Sequence, residues 1–281
     1  MDSTPVSFFL GDTVVSIFTI GHLMADLAAW YGLLPEAVDD EIRPYLERPL
    51  PIPVQSILIK RPDITLLVDA PHYDIPDSSP YAIPDYEPPP GLVAQLAQVG
   101  ILPEEVTHVI ITHHHFDHFN GLTVQINDEF IPVFENAQHY LSLLDWQTPE
   151  MQVALTQSDS LEHNTFGILH QQGLLELITG DYDLGHGMRI LPAPGETFGH
   201  RIVRLAVGDD VLYCLGDLFH HKLEVWRPET IVQWANAPTM KLSQRWLIER
   251  ALVDNAWLIA SHIAGYGRLV SKDNRLMWKQ V

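Results

Sequence analysis

Thr112-His113-His114-His115-Phe116-Asp117-His118-Phe119-Asn120-Gly121 follows directly on the apolar run Val106–Ile111, and its reading decides the rest of the chain. The protein has 15 histidines, and four of them fall in the six positions 113–118. On an extended strand end, side chains alternate, so His113 and His115 point to one side. The chain must then turn, which brings Asp117 and His118 round beside them. Neutral imidazoles and a carboxylate suit Zn²⁺, and with less selectivity Fe or Mn. An apolar strand feeding a ligand-dense loop is how metal sites are presented, and imidazoles this close would otherwise repel one another when charged.

Working outward, short β-branched runs bounded by Gly, Pro or Asp read as buried strands at 14–20, 54–59, 64–68, 106–111, 189–191, 202–207 and 211–215. Gly208-Asp209-Asp210 reads as a hairpin turn between the last two. Residues 92–99 and 241–253 carry helical spacing, the second with Leu242, Trp246, Leu247 and Ala251 as its apolar positions. Alternating strands and helices predict an α/β or α+β class. Residues 71–91 hold seven prolines and read as a surface loop. Residues 140–178 read as mostly helical. At 281 residues the chain reads as one domain, 1–281.

The composition is that of a soluble globular protein, 46% hydrophobic and 19% charged. The lone cysteine, Cys214, excludes an internal disulfide framework and lies in an apolar strand, where it reads as core. A reducing cytoplasm fits that usage. No basic front or long apolar run marks the N-terminus as a secretory signal, and no run reaches membrane-spanning length, so the expectation is a cytoplasmic protein. The formal charge of −20, from 36 acids against 16 bases, disfavours nucleic acid and anionic membranes as partners.

The pattern His113-x-His115-x-Asp117-His118 after an apolar strand resembles the signature of the metallo-β-lactamase superfamily. Further segments resemble that family's later motifs in the same order: Pro194-Gly195-Glu196-Thr197-Phe198-Gly199-His200, then Leu215-Gly216-Asp217, then Ser261-His262. Val68-Asp69-Ala70 resembles its early strand-end aspartate, which supports the site from outside the ligands. The resemblance covers about residues 54 to 270. It implies a four-layer αββα sandwich with the metals at one edge of two face-to-face sheets. It implies His113, His115 and His200 on one ion, Asp117, His118 and His262 on the other, and Asp217 on both. Two such ions sit roughly 3.5–4 Å apart and can hold a hydroxide between them. One departure stands out: the family often has His where this chain has Glu196, a position that is usually not a ligand.

A dinuclear site of this kind suits a metal-dependent hydrolase, and the resemblance implies that Asp117 carries a proton to the leaving group. His220, three residues after Asp217, is the candidate donor to the developing oxyanion. Gly216-Asp217-Leu218-Phe219-His220 resembles the methyl-parathion-hydrolase-like branch, whereas lactonases of the family often have Tyr there. Trp226, Arg245 and Gly265-Tyr266-Gly267-Arg268 also suit that branch, but Ala235-Asn236 stands where those relatives have an Asp. Trp30, Tyr31, Phe119, Trp146 and Phe219 are candidate pocket aromatics, with Phe119 and Phe219 favoured by their place beside ligand motifs. An apolar pocket points to a small neutral lactone, carboxylester or phosphotriester as substrate. The alternatives are a persulfide-dioxygenase-like redox enzyme and a metal-binding scaffold without turnover. Residues 20–50 and 140–178 are expected to cap the pocket or pair two subunits, with Leu23, Leu27 and Trp30 as an exposed apolar face suited to a homodimer.

Overall fold

The computed structural model describes residues 4–272 and 275–281. Its first sheet is built from β1 (Val6–Leu10), β2 (Thr13–Ala25), β3 (Leu50–Arg61), β4 (Ile64–Val68) and β5 (His108–Ile110). After a separate hairpin, β6 (Thr123–Ile126) and β7 (Glu129–Pro132), it is completed by β8 (Gln138–Ser142) and β9 (Leu175–Ile178). The order is β1-β2-β3-β4-β5-β8-β9, antiparallel as far as β4 and parallel from β4 to β9. The second sheet runs in sequence order through β10 (Tyr182–Gly185), β11 (Met188–Pro192), β12 (Arg201–Val207), β13 (Asp210–Cys214), β14 (Trp257–Ala260), β15 (Ile263–Lys272) and β16 (Arg275–Gln280). Its one parallel pair is β13 with β14.

Both faces of the central strands are buried, so they read as continuous apolar runs rather than alternating ones. In β4, Ile64, Leu66 and Val68 join Met188, Ile190, Val203, Leu212 and Ile259 in the layer between the sheets. Leu67 points the other way, into a layer with Leu92, Leu96, Phe119, Phe166 and Leu169 on the helical side. A third layer packs the second sheet against Met240, Leu247 and Ala251 of the long helix Ala237–Val253. Three apolar layers between four structural ones make the αββα sandwich expected from the resemblance.

The strand runs read from sequence all appear, extended by a few residues in β2 and β3, where the pairing with each other outlasts the apolar pattern. Gly208-Asp209 forms the β12–β13 hairpin, with Gly208 at φ +59. The long helix starts four residues earlier than its spacing suggested, because the Asn236 side chain accepts from the Thr239 amide and Pro238 suits the first turn. Its buried face is also rotated. Leu242 is 70% and Trp246 40% exposed, while Gln244 is buried because its amide reaches the Leu218 carbonyl. The 140–178 segment is less helical than expected, being flanked by β8 and β9. Leu23, Leu27 and Trp30 are not an exposed face: at 4, 1 and 8% exposure they pack on Ile52, Val54, Leu223 and Val232 of the same chain. That removes the observation on which the dimer expectation rested. Among the described residues no helix is long and apolar enough to cross a membrane.

Cys214 is buried in the inter-sheet layer, as expected of a core residue. His139, on β8, is also fully buried, and neither ring nitrogen makes a hydrogen bond. Burial holds its pKa down at about 4, weakly opposed by the carbonyls of Leu174 and Ala137. The unfolded chain takes up this proton below about pH 6.5 and the folded chain does not, so stability falls as pH drops from there towards 4. The expected loss between pH 7 and about 4.5 is roughly 2–3 kcal/mol from this residue. Urea unfolding at the two pH values should show that loss shrinking in His139→Leu; parallel curves for the two proteins would refute it.

Candidate metal centre

The strands β4, β5, β13 and β14 all end at one edge of the sandwich, and each hands the chain to a site residue. After β4, Asp69 accepts from the Thr112 amide (2.8 Å) and the Thr112 hydroxyl (2.9 Å). That pins the loop after β5 to the end of β4. The Ala70 amide donates to the His118 carbonyl and the Gly121 amide to the Ala70 carbonyl, so the histidine loop is braced at both ends. After β13 the chain turns at Gly216, with φ +53; a Cβ there would lie 2.8 Å from both the His200 ring and Thr112. Only glycine allows the turn that aims Asp217 inward. The β14–β15 turn carrying His262 is held from the other sheet by Gln55, whose amide donates to the carbonyls of Ala260 and Ile263.

Alternation works as the spacing predicted. The His113 and His115 rings lie 4.4 Å apart, centroid to centroid, whereas His114 faces Asp145, 3.2 Å from its carboxylate, at the cavity wall. Asp217 stands at the centre. Its Oδ2 lies 3.3 Å from His118 Nε2, 3.3 Å from His262 Nε2, 3.5 Å from His220 Nε2 and 3.7 Å from His113 Nε2. Asp117 completes this side, 3.5 Å from His262 and 3.8 Å from His118. Ligand atoms converge in two groups within 4.8 Å: His113, His115, Glu196 and Asp217 in one, and Asp117, His118 and His262 in the other.

The donor set fits divalent ions. His118 donates through Nδ1 to Asp69 (2.8 Å), and His262 through Nδ1 to the Pro53 carbonyl (2.8 Å). His113 Nδ1 faces the Thr112 hydroxyl at 3.1 Å. Each ring is thereby fixed with its Nε2 lone pair towards the centre, as metal-ligating histidines are held. His113 Nε2, His118 Nε2, Asp217 Oδ1 and Glu196 Oε2 are buried without a hydrogen-bond partner. Orphaned acceptors in such number are costly unless a cation meets them. His200 lies beside the groups, its ring 5.1 Å from that of His113. Both its nitrogens are engaged: Nδ1 donates to the Ala193 carbonyl (3.0 Å) and Nε2 accepts the Asp217 amide (3.1 Å).

The electrostatics show how strongly these groups depend on one another. Burial, with His118 and His115 nearby, holds His113 well below the usual imidazole range. Burial opposes charge on Asp217, but His262 and His118 outweigh it and hold the carboxyl well below its usual range. For His118 burial is again outweighed, here by Asp217, Asp69 and Asp117, and its pKa is raised. Glu196 is held at about 2 by His220 and His115 against the effect of burial.

Above the centre opens a cavity of about 440 Å³ whose apolar wall is Leu23, Trp30, Tyr81, Phe116 and Trp234. Phe119 and Phe219 are not part of it. Both are fully buried, Phe119 stacked on Phe166 at 4.3 Å and Phe219 in the layer under the long helix. Of the remaining expected aromatics, Trp30 lines the cavity, Trp146 packs near His170, and Tyr31 donates to Glu224 (2.7 Å). The 20–50 segment thus supplies Leu23 and Trp30 to the wall. The 140–178 segment supplies no lining residue, but Asp145 accepts from the Thr197 hydroxyl and the Gly199 amide and so steadies the loop carrying Glu196 and His200.

Sequence reasoning missed Glu224, Tyr81 and Trp234. Glu224 is buried, and its carboxylate accepts from the His220 amide, Tyr31 and Gln244. Tyr81 comes from the proline-rich loop, whose backbone takes the Met24 amide at the Tyr81 carbonyl.

The fold is that of the metallo-beta-lactamase superfamily, and the chain belongs to it: that family's profile matches residues 50–262. An N-acyl homoserine lactonase from a Bacillus species is 29% identical over 110 residues, which span 39% of this chain and 37% of that protein. The match therefore covers well under half of that relative's length. Among solved structures, the hydrolase AbOPH of the beta lactamase superfamily superposes with a TM-score of 0.82 at 17% identity, over 100% of this chain and 98% of its own. AidC, a dizinc quorum-quenching lactonase solved with the product N-hexanoyl-L-homoserine, superposes at 0.77 with 18% identity, over 99% and 98%. A probable metal-dependent hydrolase from Staphylococcus aureus gives 0.76 with 22% identity, over 98% and 99%. At these identities the likeness establishes the fold.

Proposed function

We propose that this chain, acting as one domain, hydrolyses a small neutral lactone or related carboxylester at a pair of divalent ions, zinc first, with manganese or iron as alternatives. The observation that carries the reading is Asp217, which belongs to the first group of ligand atoms, lies 3.3 Å from both His118 and His262 of the second, and lines the apolar cavity. In this reading His113, His115 and His200 serve one ion, Asp117, His118 and His262 the other, and Asp217 both. When bound, such a pair acidifies water and polarises the substrate carbonyl.

The chain's own groups do the rest. Trp30, Tyr81, Phe116 and Trp234 hold the apolar part of the substrate and exclude water around the carbonyl. His220 presents an imidazole N–H where negative charge develops on the carbonyl oxygen. Asp117 lines the cavity and delivers a proton to the leaving alkoxide. The acidic net charge supports a neutral substrate over nucleic acid. The relatives named as lactonases support a lactone in the same sense.

The test is hydrolysis by zinc- and manganese-loaded protein of four substrates: an acyl-homoserine lactone, an aryl ester, an aryl phosphotriester and an aryl phosphodiester. Fastest turnover is expected on the lactone or the aryl ester, and slowest on the phosphodiester. Two bound ions with turnover of none of the four would overturn the proposal and leave the redox and scaffold readings.

A further inference from the structure

We infer that Glu196 is itself a ligand of the first ion and that it turns this half of the centre towards harder divalent ions such as Mn²⁺. The inference rests on the metal-centre reading above. Glu196 is the one position in Pro194-Gly195-Glu196-Thr197 where the chain departs from the pattern it resembles, and that pattern does not use the position as a ligand.

Its side chain is fully buried, and among the described residues no Lys or Arg pairs with it. The two carboxylate oxygens differ in their surroundings. Oε1 accepts from the Trp234 indole (2.6 Å) and faces His115 Nδ1 at 3.2 Å and His220 Nε2 at 3.5 Å. Oε2 has no hydrogen-bond partner. A buried carboxylate oxygen without a donor is destabilising unless a cation meets it. Glu196 also falls within 4.8 Å of the ligand atoms of His113, His115 and Asp217. Glu196 therefore brings a second carboxylate to this side, beside Asp217. Imidazole suits zinc, and carboxylate oxygen suits manganese, so an added carboxylate changes the preference as well as the affinity.

The test compares wild type, Glu196→Gln and Glu196→His by titrating Mn²⁺ and Zn²⁺ separately against a chelator of known affinity, with bound ions counted by elemental analysis. Glu196→Gln keeps an oxygen for Trp234 and removes the charge. Its Mn²⁺ affinity at one of the two sites should fall about 100-fold, and its Zn²⁺ affinity at least tenfold less than that. Glu196→His, with an imidazole restored, should recover Zn²⁺ binding and not Mn²⁺ binding. A residue that only positioned His115 would weaken both ions alike, so an equal loss for the two metals overturns the inference, as does no loss. Wild-type protein that takes up neither ion would overturn the metal reading itself and this inference with it.

Discussion

Asp217→Ala is expected to lower metal-dependent turnover by on the order of 10³-fold or more and to cost at least one equivalent of bound ion. The size follows from position. One carboxylate oxygen stands within 3.3 to 3.7 Å of His118, His262 and His113, and the other is buried without a partner. On the proposed assignment it serves both ions, so its loss would remove a donor from each and the negative charge that balances them. Asp217→Asn separates these effects, since it fills the same space and can offer one oxygen without the charge. The expected order in bound metal and in kcat/KM is wild type, then Asn, then Ala. Metal content by elemental analysis, beside kcat/KM on the best substrate of the panel, decides it. An alanine variant that kept both ions and a tenth of the activity would show that Asp217 is not shared.

How far the site could be read beforehand depended on chain distance. The window 113–118 was legible because its candidate ligands are nearly consecutive and sit at a strand end, where alternation sets His113 and His115 side by side and turns His114 to Asp145. Asp217 and His262 had no local signal, and only the order of the motifs singled them out. Glu224 had none either: its contacts with Tyr31 and Gln244 join residues far apart in sequence, through a network visible only once the sheets are packed. The same limit explains the errors. Phe119 and Phe219 neighbour candidate ligands in sequence yet point into the layers beneath them, while Tyr81 reaches the cavity from a loop that composition marks only as irregular. Leu242 and Trp246 have the spacing of a buried face, but the face that packs is the one from which Gln244 can reach the Leu218 carbonyl. Spacing identifies which residues share a face, and the hydrogen-bond demands of neighbouring loops decide which face is covered.

Those demands bear directly on His220, and they predict a loss of rate without a loss of metal. The ring is buried between Glu196 and Asp217, 3.5 Å from each through Nε2, with Glu224 3.6 Å from Nδ1. Trp30 and Trp234 meet it edge-on, and the His262 ring lies parallel at 6.0 Å. A ring so enclosed has little freedom to turn, and a donor fixed before reaction costs nothing to reorganise as charge develops. His220→Ala should therefore lower kcat by about 10²–10³-fold, in the range found when one oxyanion donor is removed. Bound metal should stay at two equivalents and KM should change little, because an apolar wall rather than this ring holds the substrate. Glu224→Gln should act through His220 and cost less, about tenfold in kcat, since the Gln can still accept from Tyr31 and the His220 amide while losing the charge that faces Nδ1. In the double variant Glu224→Gln/His220→Ala, the glutamine should add almost nothing to the loss from His220→Ala alone. Additive losses would mean that Glu224 acts independently of the ring, and loss of metal from His220→Ala would make the histidine a ligand rather than a donor.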